Sequence, residues 1–278
     1  MSASSNNAIV FDRALLRRRR DRAAGRFAEH DFLFREVADR LADRLDDVRR
    51  SFPLALDLGA GDGAMGRALA GRKGIETLAA LELAPGMAAR NDSGALLAAG
   101  DEEALPFADG VFDLIVSNLV LHWVNDLPGA LIQARRALKP DGFFCAAMLG
   151  GETLNELRLA LYDAEAEICG GVSPRVSPFA EIRDAGGLLQ RAGFALPVAD
   201  REILTVTYGD VFALMRDLRG CGAANAAMAR RRVPVSRNLF FAAAQRYAER
   251  WAEPDGRVPA TFEVIYLAGW APAPSQQQ

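Results

Sequence analysis

The stretch Leu56-Asp57-Leu58-Gly59-Ala60-Gly61-Asp62-Gly63 limits the folds open to this chain more than any other. It closes a short apolar run, Leu54–Leu58, and leads into Ala64–Ala70, whose spacing is helical. An apolar strand that passes through a glycine-rich turn into a helix opens a βαβ unit, and the turn brings main chain close to a ligand near the helix N-terminus. Glycine suits such a turn because it adopts positive φ, where a β-carbon would clash. The pattern is G-x-G-x-G. Dinucleotide folds place a further glycine three positions after the second, where this chain has Ala64; only a loose count reaches Gly66. Asp57 before the turn and Asp62 inside it would repel a pyrophosphate and attract a cationic amino group. S-adenosylmethionine carries such an ammonium beside its sulfonium and is the expected cofactor. The plainer alternative is a structural strand-to-helix turn with no ligand.

Further apolar runs at Leu78–Leu83, Ala95–Ala98, Phe112–Ser117 and Phe143–Leu149 alternate with helical stretches such as Leu127–Leu138. That alternation predicts an α/β fold with a doubly wound, Rossmann-like parallel sheet. Lys139-Pro140-Asp141-Gly142 reads as a turn that stops one helix and launches the next strand. Residues 1–50 are expected to form an N-terminal helical segment, with Leu33, Val37, Leu41 and Leu45 repeating every four residues on an amphipathic helix. The cofactor-binding core then spans 51–207. It includes a helix to about Ile168, a loop at Gly170–Pro178, a helix ending near Gly193 and a strand around Ile203–Thr207. Residues 208–257 have helical composition and are expected to cap the sheet. Residues 258–272 supply its last strand, and 273–278 read as a disordered tail.

Glu82 closes the second apolar run, and a carboxylate at the tip of the second strand of such a sheet accepts both ribose hydroxyls of a nucleoside. Ala60 and Leu83, next to Gly59 and Glu82, complete this part of the lining. After the third run, Asp101 is the first candidate to accept from the adenine amino group and Glu102 the second; a solvated acidic loop is the plainer alternative. Ligands bind beyond the carboxyl ends of parallel strands, so Asn118 to Trp123 should border cofactor and substrate. Within that segment His122 is the candidate acid–base residue for a hydroxyl or amine acceptor, although a histidine beside Trp123 equally suits a packed, structural role. Asp113, at the start of its strand, points away from the site and reads as structural.

The 33 basic and 36 acidic side chains leave a formal charge of −3, which argues against a general nucleic-acid binder. No apolar run reaches the roughly 18 residues of a membrane span, and the opening MSASSNNAIVFDR lacks the apolar stretch of a signal peptide. The three cysteines are widely spaced, so neither a disulfide scaffold nor a zinc cluster is indicated, and a reducing cytoplasm is expected. His30 and His122 are the only histidines, and no metal site is expected. The run Arg17–Arg20, with Arg13, Arg22 and Arg26 nearby, offers a docking face for an acidic carrier protein or an anionic membrane surface, or is simply the solvated side of the first helix. Gly170–Pro178 and Asn225–Arg232 are candidates for gripping a protein substrate. Trp251 and Trp270 read as packing residues.

Taken in order, the glycine turn, Glu82, Asp101 and Asn118 resemble the class I S-adenosylmethionine-dependent methyltransferases. Phe11-Asp12-Arg13, SFPLALDLG (51–59), LPFADGVFDLIVS (105–117), LHWVNDLPGAL (121–131) and LKPDGFF (138–144) resemble, more narrowly, the complex I assembly factor 5 family. So do GGETLNELR (150–158), SPRVSPF (173–179), LLQRAGF (188–194) and VPATFEVIYLAGW (258–270). The resemblance covers almost the whole chain. It implies a seven-stranded methyltransferase sheet and hydroxylation of an arginine on a subunit of respiratory complex I. The malonyl-acyl-carrier-protein O-methyltransferases, which share the LHWVNDL-type segment, imply instead a methyl ester on a carboxylate. A third reading is a non-catalytic S-adenosylmethionine-binding assembly factor. The expected partner is thus a complex I subunit homologue or an acyl carrier protein. Because the chain begins ten residues before its Phe-Asp-Arg, it resembles a bacterial relative without a targeting presequence, working in the cytoplasm or against the inner face of the membrane.

Overall fold

The computed structural model describes residues 9–179 and 182–273. The tail expected at 273–278 therefore lies, from residue 274 on, outside the described residues. Seven strands form one sheet in the order β3-β2-β1-β4-β5-β7-β6. They are β1 (Leu54–Leu58), β2 (Thr77–Glu82), β3 (Leu96–Ala99), β4 (Phe112–Asn118), β5 (Leu138–Leu149), β6 (Ala195–Tyr208) and β7 (Val258–Trp270). The first five are parallel, and β7 runs antiparallel between β5 and β6. The parallel, doubly wound sheet expected from the alternation is there in the first five strands, and the last two make the sheet mixed. The physical reason lies in the cap: Tyr208 pairs with Val258, so the connection between β6 and β7 leaves and re-enters at one end of the sheet, and the chain must return antiparallel.

The expected turn at Lys139–Gly142 is also different. Helix α5 (Leu127–Ala137) passes directly into β5, and the tetrapeptide forms an irregularity inside the strand's first residues, with Asp141 at φ 67°. β6 is longer than its sequence suggested. Its Leu196, Val198 and Ile203 are exposed at the sheet edge, so apolar pattern alone marks it poorly.

Helices cover both faces. On one, α2 (Phe32–Asp46) buries Leu33, Val37, Leu41 and Leu45 together with α3 (Ala64–Ala68), α6 (Asn155–Cys169) and α9 (Arg237–Trp251). On the other, α5 and α7 (Ile182–Arg191) pack over Leu56, Ile115 and Phe144. The cap comprises α8 (Val211–Gly220) and α9 with an irregular segment between them, and α9 lies against α6. Trp251 packs edge-on to Tyr247 and Trp270 against Phe143, in keeping with their packing roles. Asp113 pairs with Lys139 at 2.8 Å, on the side of the sheet remote from the glycine turn.

Candidate functional site

β1 delivers Asp57 to the glycine turn with 1% of its surface exposed, and neither carboxylate oxygen has a hydrogen-bond partner among the described residues. Burial pushes its carboxyl up to about 8, with the charges of Glu82 and Asp62 adding to the effect. A buried acid without donors is unfavourable by itself and calls for a cationic or donor group from outside the chain.

Gly59, Gly61 and Gly63 all have positive φ, 77°, 57° and 95°. At Gly59 a β-carbon would also sit 2.4 Å from Val120, so the turn is closed to any side chain there. Ala60, next in line, is 6% exposed and donates its N–H to Leu81 O at 3.0 Å.

Glu82 is fully buried at the tip of β2. It accepts from Gly61 N at 2.8 Å and from Ala84 N at 2.9 Å, which ties the turn to the second strand. Leu83 follows it, half-buried. Asn118 closes β4, where its Nδ2 donates to Phe34 O at 2.8 Å and its Oδ1 is buried with no partner among the described residues. Asp57, Gly59, Ala60, Gly61, Glu82, Leu83 and Asn118 thus gather at the carboxyl ends of adjoining strands β1, β2 and β4.

The arginine run is where sequence reasoning fell short. Helix α1 (Arg13–Ala23) shows Arg17 and Arg18 to solvent, but Arg13 and Arg20, seven residues apart and so on one face, turn inward. Arg20 is 7% exposed. Its Nη2 lies 3.5 Å from Glu82 Oε2 and its Nη1 is buried with no partner among the described residues. Arg13 pairs with Asp101 at 2.5 Å and with Glu102. Glu102 is fully buried, with Oε1 unpartnered, whereas the Asp101 side chain is 36% exposed. The two candidate adenine acceptors therefore differ: Glu102 anchors α1 through Arg13, and Asp101 is the one open to a ligand. Periodicity along the first helix, had Arg13 and Arg20 been counted with Leu16, was the signal available.

His122 lies in a 3-10 turn after β4, 6% exposed between Trp123 and Phe179, with ring centroids 5.2 and 5.7 Å away. Its Nδ1 accepts from Leu149 N at 3.4 Å. Burial, with the nearby Arg20 charge, pushes its pKa down to about 3. The ring is therefore neutral at physiological pH and too weak a base to hold a substrate proton. His30, the other histidine, pairs with Asp217 at 2.7 Å, and no metal-binding group of three or more side chains occurs among the described residues.

Phe179 also lines a cleft of about 1020 Å³ bounded by Gly151, Glu152, Tyr162, residues 172–178 and Ala227–Ala229. Both segments singled out for protein contact thus meet here. The rim is completed by Ile9 and Val10. They belong to an extended strap whose Val10 and Phe11 N–H groups donate to Asn125 Oδ1 at 2.8 and 2.7 Å, and which pairs with the cap through Asp12 N to Ala226 O and Met228 N to Val10 O.

A methyltransferase-domain profile matches residues 56–146, from the glycine turn into β5. The chain is 43% identical over 273 residues to the arginine-hydroxylase NDUFAF5 of Danio rerio, covering 96% of this chain and 84% of that protein. It belongs to the NDUFAF5 family of class I S-adenosylmethionine-dependent methyltransferases. The human member is 44% identical over 97% of this chain and 79% of its own length. The family borders on another activity, since a malonyl-acyl-carrier-protein O-methyltransferase of Halorhodospira halophila is 41% identical over 95% of this chain and 90% of that protein. Among solved structures, the YcgJ protein of Bacillus subtilis has the same fold, with a TM-score of 0.60, 15% identity and coverage of 85% of this chain and 98% of that one.

Proposed function

We propose that this NDUFAF5-family protein binds S-adenosylmethionine across the β1, β2 and β4 ends and modifies an arginine on a protein subunit of respiratory complex I. The observation that carries the substrate assignment is the 43% identity, over 96% of the chain, to an arginine-hydroxylase. The cofactor assignment rests on the fit of the cradle. Asp57 supplies a buried carboxyl, which ionises as the ammonium binds, Arg20 Nη1 an unpaired buried donor for the carboxylate, Glu82 an acceptor for the ribose and Asp101 one for the adenine amino group. Gly59, Ala60 and Gly61 allow close approach, with Leu83 and Asn118 at the edge.

When bound, the cofactor supplies an electrophilic sulfonium group. The chain's residues hold both partners in line and exclude water, through α1 over the cradle and His122, Trp123 and Phe179 between cradle and cleft. We assign His122 a packing and orienting role rather than acid–base work, because its ring stays neutral down to about pH 3. No helix among the described residues is long and apolar enough to cross a membrane. We place the reaction in the cytoplasm, where Cys145, Cys169 and Cys221, all free, stay reduced.

The test is mass spectrometry of the complex I subunit homologues from cells with and without the gene. One oxygen or one methyl on an arginine, lost in the deletion and not restored by Asp57→Asn, is the expected result. Unchanged subunits in a strain that becomes biotin-dependent would transfer the assignment to carrier-protein methylation, the second reading, favoured by the 41% identity to the H. halophila enzyme.

A further inference from the structure

The segments GGETL (150–154) and VPATFEVIYLAGW (258–270) contribute none of the cradle residues, yet they meet at one side chain. Glu263, on β7, is 4% exposed and lines the inner wall of the cleft. The GGETL segment is folded around it. A β-carbon on Gly150 would lie 2.5 Å from Glu263 Oε2, so glycine leaves the carboxylate its place. Glu152 N donates to that same oxygen at 2.9 Å, Gly150 N donates to Glu263 O at 2.9 Å, and Thr153 Oγ1 both donates to Glu263 O and accepts from Glu263 N at 3.1 Å.

The other oxygen, Oε1, pairs among the described residues with Arg201 Nη1 alone, at 3.5 Å, from a side chain 58% exposed. That distance is long for a charge-assisted hydrogen bond, whose usual length is about 2.7–2.9 Å. Glu152 lines the same wall, exposed and without an ion-pair partner among the described residues. The remaining cations of the cleft are engaged elsewhere: Arg175 with Glu165 at 2.5 Å, and Arg158 with the carbonyls of Gly151 and Thr153. The wall therefore presents two carboxylates to one loosely held guanidinium. Burying a carboxylate is costly unless a cation meets it in good geometry.

We infer that Glu263 and Glu152 form the receptor for the guanidinium of the acceptor arginine, which takes the place Arg201 partly fills. The inference rests on the proposed arginine substrate. A guanidinium presents two parallel N–H donors to one carboxylate and can meet a second at its edge, which a lysine ammonium cannot match. Ile9, Tyr162 and Val172, all exposed on the rim, offer apolar contact to the segment that carries it. The cleft lies beside Phe179 and so next to His122, which follows β4 and the cradle's Asn118.

The test measures binding of N-acetylarginine amide to the full chain saturated with S-adenosylhomocysteine. N-acetylcitrulline amide serves as the uncharged isostere and malonate as the anionic probe. Arginine amide should bind at least tenfold tighter than citrulline amide, Glu152→Gln should weaken it about tenfold, and Arg201→Ala should tighten it severalfold by removing the competitor. Affinity for S-adenosylhomocysteine should not change in either variant. Glu263→Gln, provided that it still binds S-adenosylhomocysteine and is therefore folded, should weaken arginine amide more than Glu152→Gln does. Equal binding of arginine and citrulline, or no effect of Glu152→Gln, overturns the receptor. Malonate binding that is lost in Arg201→Ala also overturns it and makes the cleft a carboxylate site. Failure of the unmodified chain to bind S-adenosylhomocysteine overturns the cofactor assignment instead, while arginine binding still reads the receptor.

Discussion

Asp57 combines two opposed demands. Its carboxyl is pushed up to about 8, so the folded chain without ligand binds a proton there that the unfolded chain, with an ordinary carboxyl near 3.8, releases. The sign follows directly: stability from this group is fully present below about pH 4 and is lost as pH rises towards 8. Asp57→Asn should therefore raise the melting temperature of the ligand-free protein, by an amount that grows between pH 4 and pH 8, at about 2–4 °C for each kcal/mol. Calorimetry at pH 5 and pH 8 checks this; a gain that does not grow with pH refutes the buried charge. The same variant should lose most of its affinity for S-adenosylhomocysteine. In the unmodified chain that affinity should climb with pH up to about 8, since an ammonium binds the ionised acid and expels the proton. His122, with its pKa lowered to about 3, should leave no inflection between pH 5 and 8 in a rate profile. Asp57 and Glu82 were legible in the sequence because each is fixed by its distance from a local strand-to-helix turn. Glu263 was not, because its partners lie 111 residues away in sequence and no local pattern marks them.

Among the helices, α1 is attached to the core by charge as well as by its buried Leu16 and Ala23. Arg13 spans the acids of the loop after β3, and its partner Glu102 is fully buried. Removing one member of such a pair leaves an uncompensated buried charge, which costs roughly 3–5 kcal/mol. Arg13→Met should therefore destabilise the protein by about that amount, and Arg13→Met with Glu102→Gln should recover most of it, as urea unfolding of the four proteins of the cycle would show. In α2 the apolar stripe at four-residue spacing was readable beforehand, and all four of its members are buried. Leu41→Ala should cost about 2–5 kcal/mol there and leave the cradle residues untouched. What local periodicity does not encode is which helix face carries charge inward. An arginine reads as solvated until the acids that meet it, 88 and 89 residues further on, are placed beside it. The antiparallel insertion of β7 escaped for a related reason, since strand order depends on where a cap of two helices returns the chain.

Across the sheet as one body, the parallel half that holds the cradle and the antiparallel edge that holds Glu263 are joined by β5 and β7, which pair over seven residues from Phe143 to Leu149. The alternation of strand and helix was enough to foresee the parallel half, but not the cleft, which is assembled from the strap, the segment after β5, the loop at 170–178 and the cap. S-adenosylhomocysteine at a hundred times its dissociation constant should stabilise the folded chain by about 2.7 kcal/mol, read as a rise in melting temperature that Asp57→Asn abolishes. The strap has a kinetic implication. Ile9 and Val10 form one rim of the cleft and run through Phe11 and Asp12 into α1, whose Arg13 and Arg20 lie over the cradle. Whatever settles α1 thereby sets the cleft's edge, so turnover should follow a compulsory order in which the nucleoside enters first and leaves last. Product-inhibition patterns would show it, with S-adenosylhomocysteine competitive against S-adenosylmethionine and noncompetitive against the protein acceptor.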